Sequence, residues 1–175
     1  VSDAYNKLYG SVSSQKSQTG YKTISEQAIL ITISTLSSTS KSYVYRKFST
    51  PIDISQHKKL SFILYNTEPS DDIKFYLKFG TEENYFKASL PLNFSGWRLF
   101  EIKQIDINDD GIGDIWETVD YHLKISTKGV VSLQQLPQII AGFETQSSST
   151  FTHTVYLNDI FLSEPLKRNG IAKKI

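Results

Sequence analysis

The chain has 175 residues, of which 13% are aromatic, no cysteine, and a formal net charge of +1. That length suits one domain with its own core, the missing cysteine excludes a disulfide framework and a thiolate metal site, and the near-zero charge removes any global field for nucleic acid or an anionic membrane. No run approaches the roughly 18 continuous apolar residues of a membrane-spanning helix.

Short runs of period-two alternation, bounded by turn residues, predict strands. In chain order they are 27–34, 42–49, 59–66, 73–79, 84–90, 97–105, 121–126, 138–144 and 152–162. The clearest is 73–79, with Ile73, Phe75, Leu77 and Phe79 on one face and Lys74, Tyr76 and Lys78 on the other. In 84–90 the inward set is Phe86, Ala88 and Leu90, which turns Tyr85 and Lys87 outward. Ser132 to Leu136 suits one short helical turn capped by Ser132. Residues 164–175 read as a basic tail, so the domain is expected over 1–165 with 166–175 as tail or linker. About nine strands without alternating helices imply an all-β, two-sheet antiparallel β-sandwich.

The sharpest motif is the stretch from Asp106 to Glu117, which satisfies D-x-[DN]-x-[DN]-G-x5-E at each fixed position. Calcium takes six to eight oxygens from a loop folded around it. Asp106, Asn108 and Asp110 are the expected side-chain ligands, Ile112 gives its backbone carbonyl, Asp114 binds directly or through water, and Glu117 binds with both oxygens. The same residues suit an Asx-rich turn that binds nothing. Without a cation, however, Asp106, Asp109, Asp110, Asp114 and Glu117 repel one another. The twelve residues resemble the calcium loops of EF-hands, dockerins and thrombospondin-type repeats, though the preceding segment is a strand rather than an entering helix. A loop of this charge suits millimolar calcium outside the cell, so a secreted or surface location is expected.

Three further phrases, in order, resemble the galactose-binding-like jelly roll of carbohydrate-binding modules. They are Pro51 to Phe62, Leu90-Pro91-Leu92 with Gly96 to Ile102, and Val155 to Leu162. The order of Gly129 to Gly142, Val155 to Leu162 and Gly170 is also similar to the sandwich domains of SprA-type bacterial outer-membrane proteins. The first resemblance implies a carbohydrate ligand, and the second a domain that contacts its neighbours in a larger surface assembly.

His57, His122 and His153 lie outside any C-x-x-C, H-E-x-x-H or G-x-S-x-G context, so a non-enzyme is expected. RNP and OB signatures are missing, so nucleic acid is not an expected partner. The expected ligand face is the outward set Tyr76, Lys78, Tyr85 and Lys87, with exposed rings to stack on a sugar and amines to bind hydroxyls. Trp97 and Trp116 are assigned to the core or to loop packing. Two classes stay open: a carbohydrate-binding module, and a structural or interaction domain.

Overall fold

The computed structural model describes residues 16–17, 20–21, 28–36, 42–107, 115–118, 122–145, 147 and 150–166. A short ribbon pairs β1 (Lys16–Ser17) with β2 (Gly20–Tyr21). Ten strands follow: β3 (Ile29–Leu36), β4 (Ser42–Ile52), β5 (His57–Asn66), β6 (Ser70–Gly80), β7 (Tyr85–Leu92), β8 (Gly96–Ile105), β9 (Ile115–Thr118), β10 (Lys124–Lys128), β11 (Leu136–Thr145) and β12 (Phe151–Pro165). They form two five-stranded antiparallel sheets, ordered β10-β7-β6-β11-β4 and β3-β12-β5-β8-β9. The chain changes sheet after one or two strands throughout, so the protein is an all-β sandwich wound from both sheets together.

Alternation explains why the sheets pack. On β6, Ile73, Phe75, Leu77 and Phe79 are buried, and the inward residues of β7, Phe86, Ala88, Leu90 and Leu92, lie beside them. The facing sheet contributes Leu60, Phe62 and Leu64 from β5 and Phe100 and Ile102 from β8. Phe62 stacks on Phe100 at 5.2 Å, and Phe75 meets Phe143 edge-on at 5.6 Å. On β12 the apolar phase slips from Val155 and Leu157 to Ile160 and Leu162. The register shifts at that point, and Asp159 takes a φ of 36°. One extra residue thus keeps both apolar pairs on the inner face.

Three expectations are corrected. Ser132 to Leu136 is a turn at Leu133 and Gln134 that runs straight into β11 rather than a helix: Leu133 is buried, and its carbonyl accepts the Ile54 N–H at 2.8 Å. Residues 115–118 form β9, which the four-residue run was too short to announce. Glu164 and Pro165 belong to β12 rather than to a tail; Glu164 meets the Lys59 amine at 2.7 Å, and the Leu166 N–H donates to Gln56 O at 2.9 Å. Residues 167–175 lie outside the described residues.

Candidate functional site

The expected calcium loop joins the two strands of a hairpin. β8 and β9 pair from Ile102↔Thr118 to Ile105↔Ile115, so both flanks are strands. The hairpin is pinned to the core by Trp116, which stacks on Phe86 at 5.0 Å and meets Phe79 edge-on at 5.0 Å. Its indole N–H donates to Gln104 Oε1 at 3.3 Å, and Gln104 Nε2 donates to Ile54 O at 3.3 Å. Asp106 is the first residue beyond β8 and is half-buried. Glu117 lies within β9, exposed and opposite Lys103, on the strand face away from Trp116. Asn108, Asp110, Ile112 and Asp114 lie outside the described residues, so only the mouth of the loop is placed. Among the described residues, no three His, Asp or Glu side chains gather as a metal site.

The four residues of the expected ligand face do come together. Lys78 stands directly opposite Lys87, Tyr76 opposite Ser89, and Tyr85 opposite Gly80. Two lysines across from each other are unfavourable on their own. Here each has a carboxylate: Lys78 meets Glu82 at 3.2 Å, and Lys87 reaches over β6 to Glu144 on β11. That reach roofs Tyr76. Lys78 Nζ is 5.3 Å and Lys87 Nζ 4.9 Å from the Tyr76 ring centre, and Lys78 is also 4.7 Å from the Tyr85 ring. Gly142 leaves the floor open, since a β-carbon there would collide with the Tyr76 phenol. Tyr76 is therefore 3% exposed, against the expectation of an open ring, while Tyr85 is half-buried. Burial pushes the Tyr76 phenol well above its ordinary range, and the Glu144 and Glu82 charges push it further. The set is a closed cation–π cluster, and no ring face of Tyr76 is open to stack on a sugar.

An aromatic row that the sequence reading did not assign crosses the outer face of the other sheet. Trp97, Tyr65 and Tyr156 stand side by side on β8, β5 and β12. Ring centres are 5.1 Å apart for Tyr65 and Trp97 and 5.7 Å apart for Tyr65 and Tyr156. All three are half-buried. So Trp97 belongs to a sheet surface, and of the two tryptophans only Trp116 is a core residue. The signal was available on β5, where Ser61, Ile63 and Tyr65 alternate with the inward Leu60, Phe62 and Leu64. Cross-strand register was needed to bring Trp97 beside Tyr65.

The third feature is the edge where the two sheets open. Among the described residues, β3 and β4 end their sheets. Ile29 is 62% exposed, Leu30 56%, Tyr43 45%, Val44 48%, Tyr45 59% and Ile52 37%. Between these strands lies an apolar cleft of about 630 Å³, lined by Ile31, Phe48, Ile139 and Leu157 among others. That volume is in the range of pockets that hold ligands, roughly 300–1,000 Å³. The same alternation that gave the clean strands gave no hint of it, because β4 is exposed on both faces. No family model matches the chain, and neither does any curated protein.

Proposed function

We propose that this chain is a non-catalytic interaction module of a secreted or surface protein, that it docks through the open β3/β4 edge, and that it carries one calcium ion in its β8–β9 hairpin. The observation behind the docking surface is concentration. Of the nine large hydrophobic residues exposed among the described residues, six lie on β3 and β4. Four of these, Ile29, Val44, Tyr45 and Ile52, line the cleft; scattered apolar residues are ordinary on a surface, whereas apolar residues gathered at a cleft mark a contact site. The resemblance to domains of large surface assemblies points the same way. A photo-crosslinking residue at Tyr45, in the intact host protein, should join the edge to one defined neighbouring polypeptide. The same residue at Lys58, exposed on β5, should not. Failure to crosslink from Tyr45 removes the docking surface.

The calcium reading rests on the complete loop pattern and on the rigid hairpin that holds its ends. Asp106, at the mouth, suits a first ligand. Glu117 leaves the strand face beside Lys103, so the loop must fold toward that face for Glu117 to bind. An extracellular location, where calcium is millimolar, suits such a loop.

A carbohydrate ligand is the second reading, favoured by the Trp97–Tyr65–Tyr156 row rather than by the roofed Tyr76 cluster. Half-buried rings on three adjacent strands offer a rigid surface for sugar faces. A glycan array on the wild type and on Trp97→Ala/Tyr65→Ala decides it: binding that survives the double substitution moves the sugar off this row.

A further inference from the structure

We infer that the occupant of the β3/β4 edge is an extended polypeptide segment of alternating apolar and acidic residues, which adds to β4 as a further strand; this rests on the docking surface proposed above. Four observations lead to it. First, β4 is eleven residues long and, among the described residues, pairs only with β11, leaving its outer row of N–H and C=O groups unpaired. A long unpaired edge is a template for strand addition. Second, register turns Val44 and Arg46 to the inner side of the sheet, opposite Ala141 and Ile139, while Phe48 packs against the core. A strand laid beside β4 would therefore send every second side chain into the apolar cleft.

Third, the outer face of the β4 edge is cationic, since register turns Lys47 outward. β4 carries Arg46 and Lys47 and no acidic residue, and β3 carries no charge at all. Neither cation has an ion-pair partner among the described residues. Lys47 lies only over the Tyr45 ring, at 5.7 Å. Fourth, the acid that follows β4 in the chain, Asp53, is already engaged: its carboxylate accepts from the Ser55 N–H at 2.9 Å, the Ser55 hydroxyl at 2.7 Å and Gln56 Nε2 at 3.0 Å, and Asp159 lines the cleft with Arg46 rather than the outer face of β4.

These observations choose among occupants. A second copy pairing β4 with β4 would set two cationic strands side by side, which like charges oppose. An acyl chain would fill the cleft but leave the β4 backbone groups unmatched. A peptide with apolar residues facing in and carboxylates facing out satisfies the cleft, the backbone and the outward Lys47 together, while Arg46 stands on the cleft side.

The probe is a fluorescein-labelled peptide of alternating Ile and Glu, followed by fluorescence anisotropy. Three comparisons accompany it: Lys in place of Glu, a fully N-methylated version, and decanoate as competitor. The wild type should bind the Glu peptide about threefold more tightly than the Lys peptide, the scale of one exposed charge contact. Lys47→Glu should invert that preference. Because the Lys47 side chain is exposed, the variant's melting curve should match the wild type's and exclude misfolding. N-methylation should abolish binding, and the Glu peptide should slow hydrogen exchange of β4 amides. Equal binding of the two peptides, or a preference that survives charge reversal, overturns the acidic partner. Undiminished binding after N-methylation, with displacement by decanoate, overturns strand addition and leaves an amphiphile site. If these assays fail while Tyr45 still crosslinks in the host protein, the edge is a docking surface with a different occupant; if both fail, the docking surface falls too.

Discussion

Removing the side-chain amide of Asn66 should be among the most damaging single changes in the molecule. Asn66 is fully buried at the end of β5. Its amide nitrogen donates to Glu68 O at 2.8 Å, Leu92 O at 2.9 Å and Phe94 O at 2.6 Å. With the nitrogen facing three carbonyls, the oxygen faces the imidazole of His153, at 2.7 Å from Nε2. The imidazole therefore carries its proton on Nε2 and donates to Asn66 Oδ1. Asn66→Ala strands that N–H and weakens two buried carbonyls. At about 1–3 kcal/mol for each buried group left without a partner, the loss is about 3–5 kcal/mol. That is a large share of the roughly 5–15 kcal/mol by which domains are stable, and should lower the urea midpoint by about 2 M at an ordinary denaturant slope. A loss below about 1 kcal/mol would refute the reasoning, since unsatisfied buried groups do not come so cheaply.

The same network makes stability depend on pH. Burial pushes the His153 pKa below its ordinary 6.5, with Glu68 opposing weakly. Above 6.5 the imidazole is neutral in both states. Below it the unfolded chain takes up the proton first, so stability is full above 6.5 and declines as pH falls toward the folded pKa. The slope is at most about 1.4 kcal/mol per pH unit for one proton. His153→Gln keeps a donor to Asn66 without titrating. Urea melts between pH 7 and 5 should show the decline in the wild type and not in that variant.

Calcium should raise the melting temperature and chelator should lower it, by about 2.7 kcal/mol at a hundredfold excess over Kd, or roughly 5–10 °C for a domain of this size. Isothermal titration should show one site that Asp106→Ala abolishes; Glu117→Ala tests separately whether that ligand reaches the ion, and titration unchanged in both variants removes the site. Trp116→Ala should cost about 3–5 kcal/mol as a core truncation, while Trp97→Ala should cost far less; equal losses would contradict their placement. Glu144→Gln should lower the raised Tyr76 pKa, read by ultraviolet titration. Because that pKa is raised, the wild type should lose stability as pH climbs above 10, where the unfolded phenol ionises first, and the loss should end at a lower pH in the variant.

The sequence by itself determined the all-β class, nearly all the strands, and which residues of β6 and β7 face the core, because period-two alternation maps directly onto the two faces of a pleated sheet. It also brought Tyr76, Lys78, Tyr85 and Lys87 onto one face of adjacent strands. What it could not decide was whether that face is open. Tyr76 is roofed by Lys78 and by Lys87, which is held there by Glu144, 68 positions from Tyr76 along the chain and placed by β11, and the missing β-carbon of Gly142 makes room for the phenol beneath. Trp97 had no partner in sequence and gained Tyr65 and Tyr156 only through register. The open edge was equally invisible: β3 and β4 follow each other in the chain yet end up terminating different sheets, and only sheet order shows that nothing described lies beyond them. Local pattern fixes the face a side chain takes, because that depends on the residue's own backbone. Its exposure depends on what long-range pairing lays over it.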